Sequence, residues 1–282
     1  MMLIRSLANP QIKYIRELFH KRRSRKAYRE FFVEGVQAIS EAYQHGWHVK
    51  KLIYCPTMVR SDWGKKTLAE SNPLTHLQVT KDLMYKLSDR GYPELLAIVA
   101  QKEDNLDRIA IHENAVLLLL DRSQNAGNLG TIIRSGNAMG THGMVIMEPA
   151  VDLYDPKTVR ATMGSLFAQP VVRIKTHQLL ADWLEKVRIK LPNLQLVGTS
   201  PRATTPIDRH DFTRPTILVV GKEQSGMSND FERICDALVT IPMSGSADSL
   251  NTAIATSIVL YEVNRQRLSR NLESEPALPL TN

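Results

Sequence analysis

From position 116 the chain reads Val-Leu-Leu-Leu-Leu before Asp121. An unbroken apolar run of this length is the mark of a strand buried on both faces. Apolar runs and helix-period stretches then alternate regularly, predicting strands at 116–120, 143–147, 170–174, 194–199, 216–220 and 237–241 and helices at 127–139, 157–163, 177–190, 228–235 and 251–270. Such alternation predicts an α/β fold with a mostly parallel sheet covered by helices, whose ligands sit beyond the carboxyl ends of the strands.

The first hundred residues form a second, smaller pattern. Asn9 and Pro10 ahead of Ile12, Ile15, Leu18 and Phe19 predict a capped amphipathic helix. Strands follow at 31–35, 51–55, 77–80 and 95–100, with helices at 36–45 and 81–88. The charged, unpatterned stretch 101–114 reads as a linker, so the expected domains are 1–105 and 112–270, with a Pro-containing tail at 271–282.

Three polar, glycine-bearing breaks each follow a strand: 121–140, 221–226 and 241–251. In the last, small residues leave backbone N–H groups free, and Ser249 and Asn251 stand beside a helix start. One fold can bring the three breaks to one sheet edge.

Charge adds a partner. The 282 residues carry net charge +7, and Lys13, Arg16, Lys21, Arg22, Arg23, Arg25, Lys26 and Arg29 face only Glu17 between positions 13 and 29. Such a run is either a solvated helix face or a polyanion site, and nucleic acid is the favoured reading. The two cysteines lack metal-ligand spacing, so no metal is expected and a reduced compartment fits. No apolar run approaches the roughly 18 residues needed to cross a bilayer, and the first residues do not resemble a secretory signal. The cytoplasm is the expected location, with no membrane partner.

Familiar nucleotide and hydrolase templates fail. Gly127-Asn128-Leu129-Gly130 lacks the dinucleotide-binding spacing, Glu223 stands where a phosphate-binding loop after Gly221-Lys222 needs Ser or Thr, and Ser225 is not in a nucleophile elbow.

Asn128-Leu129-Gly130-Thr131-Ile132-Ile133-Arg134, then Gly221-Lys222-Glu223-Gln224-Ser225-Gly226, then Ile241-Pro242-Met243 with Ser249-Leu250-Asn251, resemble the three ordered motifs of the SpoU-type (TrmH-like) RNA 2′-O-ribose methyltransferases of the SPOUT class. The resemblance spans roughly 115–270. More loosely, 6–10 and 32–35 are similar to the small substrate-binding domain that precedes many of these catalytic domains.

The resemblance implies a deep trefoil knot in the C-terminal domain, an RNA-binding N-terminal domain, S-adenosyl-L-methionine as cofactor, and a homodimer with its sites near the subunit interface. It maps cofactor binding to Thr199, Ser200, Gly221, Glu223, Gly226, Ile241, Pro242, Met243 and Leu250. The catalytic set becomes Asn128, Arg134, Glu223, Ser249 and Asn251, while the basic run itself supplies the expected RNA-binding set Lys13, Arg16, Lys21, Arg22, Arg23, Arg25 and Lys26.

Ribosomal RNA is favoured over transfer RNA by the separate N-terminal domain, and a non-catalytic RNA-binding or ribosome-assembly factor on the same fold is the alternative of a different class. Two departures from the family pattern stand out: Ala126 replaces a common proline, and Gly136 sits where alanine is common, either costing helix propensity or permitting close packing. The apolar positions Ile254, Ile258 and Tyr261 leave two places open for the last helix, the core or the dimer interface.

Overall fold

Asn9 starts the first helix as its sequence predicts: its side chain accepts the Gln11 N–H at 2.9 Å, with Pro10 in the first turn. The structure is a computed structural model describing residues 3–89, 91–223 and 225–274. Two compact units result, one of residues up to 103 together with 151–168, the other of 104–150 and residues from 169 onward.

The first unit contains α1 (Pro10–His20), α2 (Arg22–Tyr28), β1 (Glu30–Glu34), α3 (Val36–Gln44), β2 (Val49–Tyr54), α4 (Asp62–Glu70), β3 (His76–Gln78), α5 (Lys81–Leu87) and β4 (Leu95–Ala100). Its sheet has the order β1-β4-β2-β3, with β4 antiparallel to both neighbours. Ile12, Ile15 and Leu18, at helical spacing on α1, are buried in one cluster with Phe32, Ile53, Leu83, Leu96 and Ile98. The α4 helix had no clear sequence signal, since Gly64 is its one fully buried position.

The basic stretch is broken at Lys21, whose φ of −116° and ψ of 112° end α1 and begin α2. Arg25 then points inward. It is 2% exposed, and its Nε donates to Asp152 at 2.7 Å, its Nη2 to Asp155 at 3.0 Å and its Nη1 to the Leu18 carbonyl at 2.8 Å. Arg25 is therefore removed from the RNA-facing set, because its side chain is buried and every one of its nitrogens is committed to a partner within the unit. Lys13, Arg16, Lys21, Arg22, Arg23 and Lys26 are exposed, with Lys21 paired to Glu17 at 3.0 Å.

In the second unit, β5 (Val116–Asp121) is buried at all six positions, as its apolar run requires. It leads into α6 (Ala126–Ala138), capped by Asn125 accepting the Asn128 N–H at 3.0 Å, and β6 (Gly143–Met147). The chain then passes into the first unit for α7 (Pro156–Ala161) and α8 (Ser165–Ala168). There Phe31 meets Tyr154 with ring centres 4.6 Å apart, and the Trp47 indole donates to the Phe167 carbonyl at 3.0 Å.

The second unit resumes with β7 (Val171–Ile174), α9 (His177–Lys190), β8 (Gln195–Thr199), β9 (Thr205–Pro206), β10 (Thr216–Val220), α10 (Asn229–Ile234), β11 (Ala237–Thr240) and α11 (Thr252–Ser274). The sheet order is β7-β6-β5-β10-β8-β11-β9, and every pair is parallel. The two-residue β9 is too short to leave a periodic signal. Gly136 permits close packing: a Cβ there would lie 2.2 Å from Met144 Cε and 2.7 Å from Thr141 Oγ1. On α11, Ala253, Thr256, Val259, Leu260 and Val263 face the core, whereas Ile254 and Tyr261 are exposed. No helix among the described residues is long and apolar enough to cross a membrane.

Candidate active site

Because β10 lies between β5 and β8 in one parallel sheet, the loops leaving their carboxyl ends emerge on the same side. The residue after β10, Gly221, begins a loop that doubles back at once. Lys222 and Gly226 exchange two backbone hydrogen bonds of 3.0 Å, and Gly226 takes a φ of +68°. A Cβ on Gly221 would stand 2.3 Å from the Met227 nitrogen, so only glycine fits this close approach. The closed loop carries Glu223 outward between its two pinned ends.

Asn128, in the first turn of α6, donates from Nδ2 to Glu223 Oε1. Its Oδ1 accepts from Asn251 Nδ2 at 3.2 Å. Asn251 in turn caps α11, its Oδ1 accepting the Ala253 N–H at 2.9 Å and the Ile254 N–H at 3.3 Å. These bonds assign both amide orientations, since each oxygen faces donors and the Asn128 nitrogen faces a carboxylate. One residue from each sequence motif thus joins a single polar line.

The helices below the line hold it in register. Seven residues on from Asn128 and on the same face of α6, Ser135 Oγ meets Ser257 Oγ of α11 at 2.7 Å. Arg134 lies roughly 120° around α6 from Asn128 by helical geometry. It is exposed and has no hydrogen-bond or ion-pair partner among the described residues. The structure therefore brings Asn128, Glu223 and Asn251 together, whereas Arg134 is exposed on another side of α6, outside that line.

A pocket of about 280 Å³ opens next to Glu223. Thr199, Ser200, Gly221, Glu223, Gly226, Ile241, Met243 and Leu250 line it, as does Ser249, while Pro242 is absent from the lining. Its wall also contains Arg202, Met227 and Glu232, which lie outside the motifs, and Lys222, a motif residue with no expected role. Lys222 stands inside the second motif and Met227 directly follows it, so both were within reach of a sequence argument. Arg202 and Glu232 come from a turn and a short helix with no distinguishing local signal.

The pocket suits a folded, mixed-polarity molecule. Apolar walls from Ile241, Met243 and Leu250 oppose backbone of the Gly221 loop, and charged groups stand on the lining. Its volume lies just below the usual range of about 300–1,000 Å³ for ligand sites. S-adenosylmethionine, with an apolar-faced adenine, hydroxyls and a charged amino-acid end, fits this donor set.

The SpoU rRNA Methylase family pattern matches residues 115–261, and that of the MRM3-like substrate binding domain matches 9–97. A 23S rRNA (uridine(2479)-2′-O)-methyltransferase of Streptomyces viridochromogenes is 38% identical over 270 residues, covering 95% of this chain and 94% of that protein. The crystal structure of the SpoU methyltransferase AviRb from the same organism, in complex with AdoMet, superposes with a TM-score of 0.86 at 39% identity, covering 93% of this chain and 100% of that one. An AdoMet-bound rRNA methyltransferase from Sinorhizobium meliloti gives a TM-score of 0.81 at 34% identity over 94% of this chain and 97% of its own.

Proposed function

The chain belongs to the SpoU rRNA methylase family, and from that premise we propose that its three-loop pocket holds S-adenosylmethionine while the line Glu223–Asn128–Asn251 faces the ribose to be methylated. It is an S-adenosylmethionine-dependent RNA 2′-O-ribose methyltransferase, with ribosomal RNA favoured over transfer RNA as substrate. The observation that carries the site assignment is the meeting of one polar side chain from each motif at the pocket edge.

The cofactor, when bound, supplies a methyl carbon made electrophilic by its sulfonium. What remains for the protein is alignment and removal of one proton. Ile241, Met243, Leu250 and the Gly221 loop grip the cofactor, with Thr199 and Ser200 at the neighbouring strand end. Ser249 on the pocket wall orients the ribose. Arg134 brings a guanidinium, which offers only hydrogen-bond donors and is not a base. It clamps the phosphate beside the target ribose, and the proton leaves through that phosphate or a water.

The first unit supplies RNA affinity. Its exposed Lys13, Arg16, Lys21, Arg22, Arg23 and Lys26 form a cationic set suited to phosphates, and the match of residues 9–97 to a substrate-binding domain supports that role. A homodimer is supported by Ile254, Tyr261 and Leu268, which recur every seven residues on the outer side of α11 and are all at least half exposed. The insertion of β10 between β5 and β8 supports the knotted topology that the family resemblance implies. A ribosomal substrate supports a cytoplasmic location.

Methyl-labelled S-adenosylmethionine incubated with the purified chain and either 23S rRNA or bulk transfer RNA tests the function. Label in one 2′-O-methylated nucleotide of the ribosomal RNA is expected. Label confined to transfer RNA would reassign the substrate, and cofactor binding without transfer to either would favour the non-catalytic factor.

A further inference from the structure

The roles above use neither Asp121 nor Arg122, yet these two residues stand where the first and second motifs meet. Asp121 ends β5 and is 1% exposed. Its Oδ1 accepts from Arg122 Nε at 2.5 Å, and its Oδ2 accepts from Arg122 Nη2 at 3.0 Å and from the Ser228 backbone N–H at 2.9 Å. Arg122 adopts a φ of +53°, a left-handed conformation that side chains other than glycine rarely take. The ion pair folds the guanidinium back over the preceding carboxylate while the chain turns toward α6.

Ser228 is where the glycine loop ends. The loop starts from β10, whose Val220 pairs in register with Leu120, so that end is held to β5 by the sheet itself. Among the described residues the other end joins no ladder. It is held to β5 by the Asp121 carboxylate on the Ser228 N–H, a donor that α10 does not need because Ser228 precedes its first turn. Gly221, Glu223, Gly226 and Met227, all on the pocket wall, lie between these two fastenings, whereas Asp121 is not part of the lining. Burial pushes the Asp121 pKa up, but the Arg122 guanidinium and the Ser228 N–H outweigh it and hold the carboxyl below the ordinary aspartate value, so it stays ionised near neutrality.

We propose that Asp121 is a positioning residue for cofactor binding: through the Ser228 N–H it fastens the far end of the loop 221–227 to β5 and so shapes a pocket it does not touch. Arg122 keeps that carboxylate charged and aimed. The proposal rests on the reading that this pocket takes S-adenosylmethionine.

Calorimetric titration of S-adenosylmethionine into the full chain separates the two. Asp121→Val removes the acceptor, and Ser228→Pro removes the donor at a residue whose φ of −74° suits proline. Each should raise the cofactor Kd about tenfold, the size expected for losing a hydrogen bond to a charged group. The double variant should be little weaker than either single one, and RNA affinity should not change. Val172→Ala, in the core two strands from β5, serves as the control: it should lower Tm without raising the cofactor Kd beyond about twofold. Should Asp121→Val not fold, Ser228→Pro and Asp121→Asn carry the test, the latter with a smaller rise because an amide oxygen still accepts. Wild-type affinity in the folded variants, or an equal loss in Val172→Ala, overturns the positioning role. Failure of the unaltered chain to bind S-adenosylmethionine overturns instead the assignment of the pocket.

Discussion

Asn251 and Asn128 stand 123 residues apart in the chain, yet the Asn251 side-chain amide donates to the Asn128 side-chain oxygen across 3.2 Å. The same Asn128 donates to Glu223, so one amide is the hinge of the site. Replacing it with a carboxylate removes the donor and sets two negative charges against each other. Asn128→Asp is expected to lower kcat about 100-fold, the scale of losing one preorganised donor within an active site, while the fold measured by circular dichroism persists. Wild-type turnover would falsify the assigned role.

Arg134 offers a separate test because it has no protein partner among the described residues. Lysine keeps the charge but loses the planar two-pronged contact with a phosphate. Arg134→Lys should reduce kcat/KM for RNA about tenfold and leave the cofactor Kd unchanged. Near-full turnover with unaltered RNA affinity would show that no two-pronged clamp exists.

At Gly221 the obstacle is backbone, the Met227 nitrogen 2.3 Å from where an alanine methyl would stand, so no side-chain adjustment can make room. Gly221→Ala should distort the loop and weaken S-adenosylmethionine binding by at least about tenfold, a loss of about 1.4 kcal/mol. Calorimetry reads this directly; unchanged affinity would mean that the loop backbone does not shape the pocket.

Arg25 distinguishes structure from RNA contact in the first unit. Arg25→Met leaves Asp152 buried without its cation and should cost about 3–5 kcal/mol of stability, read as a lower urea midpoint. At a temperature where the variant is folded, RNA affinity should match the unaltered chain. Arg23→Ala with Lys26→Ala should do the reverse, weakening RNA binding and flattening its salt dependence by about one unit of slope per lost phosphate contact. A stable Arg25→Met with reduced RNA affinity would return Arg25 to the binding surface.

The outer stripe of α11 predicts assembly. Ile254→Glu with Tyr261→Glu places charge on two exposed positions of the stripe without touching the buried face. Light scattering after gel filtration should show a dimer for the unaltered chain and a monomer for the variant. Equal masses for both would remove this surface as the interface.

Much of the second unit was legible because its signals are local. The apolar run of β5, the helical spacing of α9 and the strand at 216–220 coincide with the observed elements to within a residue. Each depends on neighbours in sequence, through strand and helix periods of two and about 3.6 residues. The three motifs were legible for a related reason: glycine and capping residues mark special backbone wherever they fall. Gly136 was visible as an anomaly, but only the 2.2 Å at which a Cβ there would meet Met144 Cε decided between a costly residue and a needed one.

By itself the sequence determined the element types, the parallel character of the larger sheet, the three loops and the candidate polar residues. Tertiary structure decided that 151–168 packs in the first unit, that Arg25 turns inward, that Arg134 lies off the polar line, and that Asp121 reaches Ser228. The physical reason is the range of the interactions. Periodicity reports which side of an element is apolar, whereas a hydrogen bond of about 3 Å between residues more than 100 positions apart depends on which elements pack together and in what register.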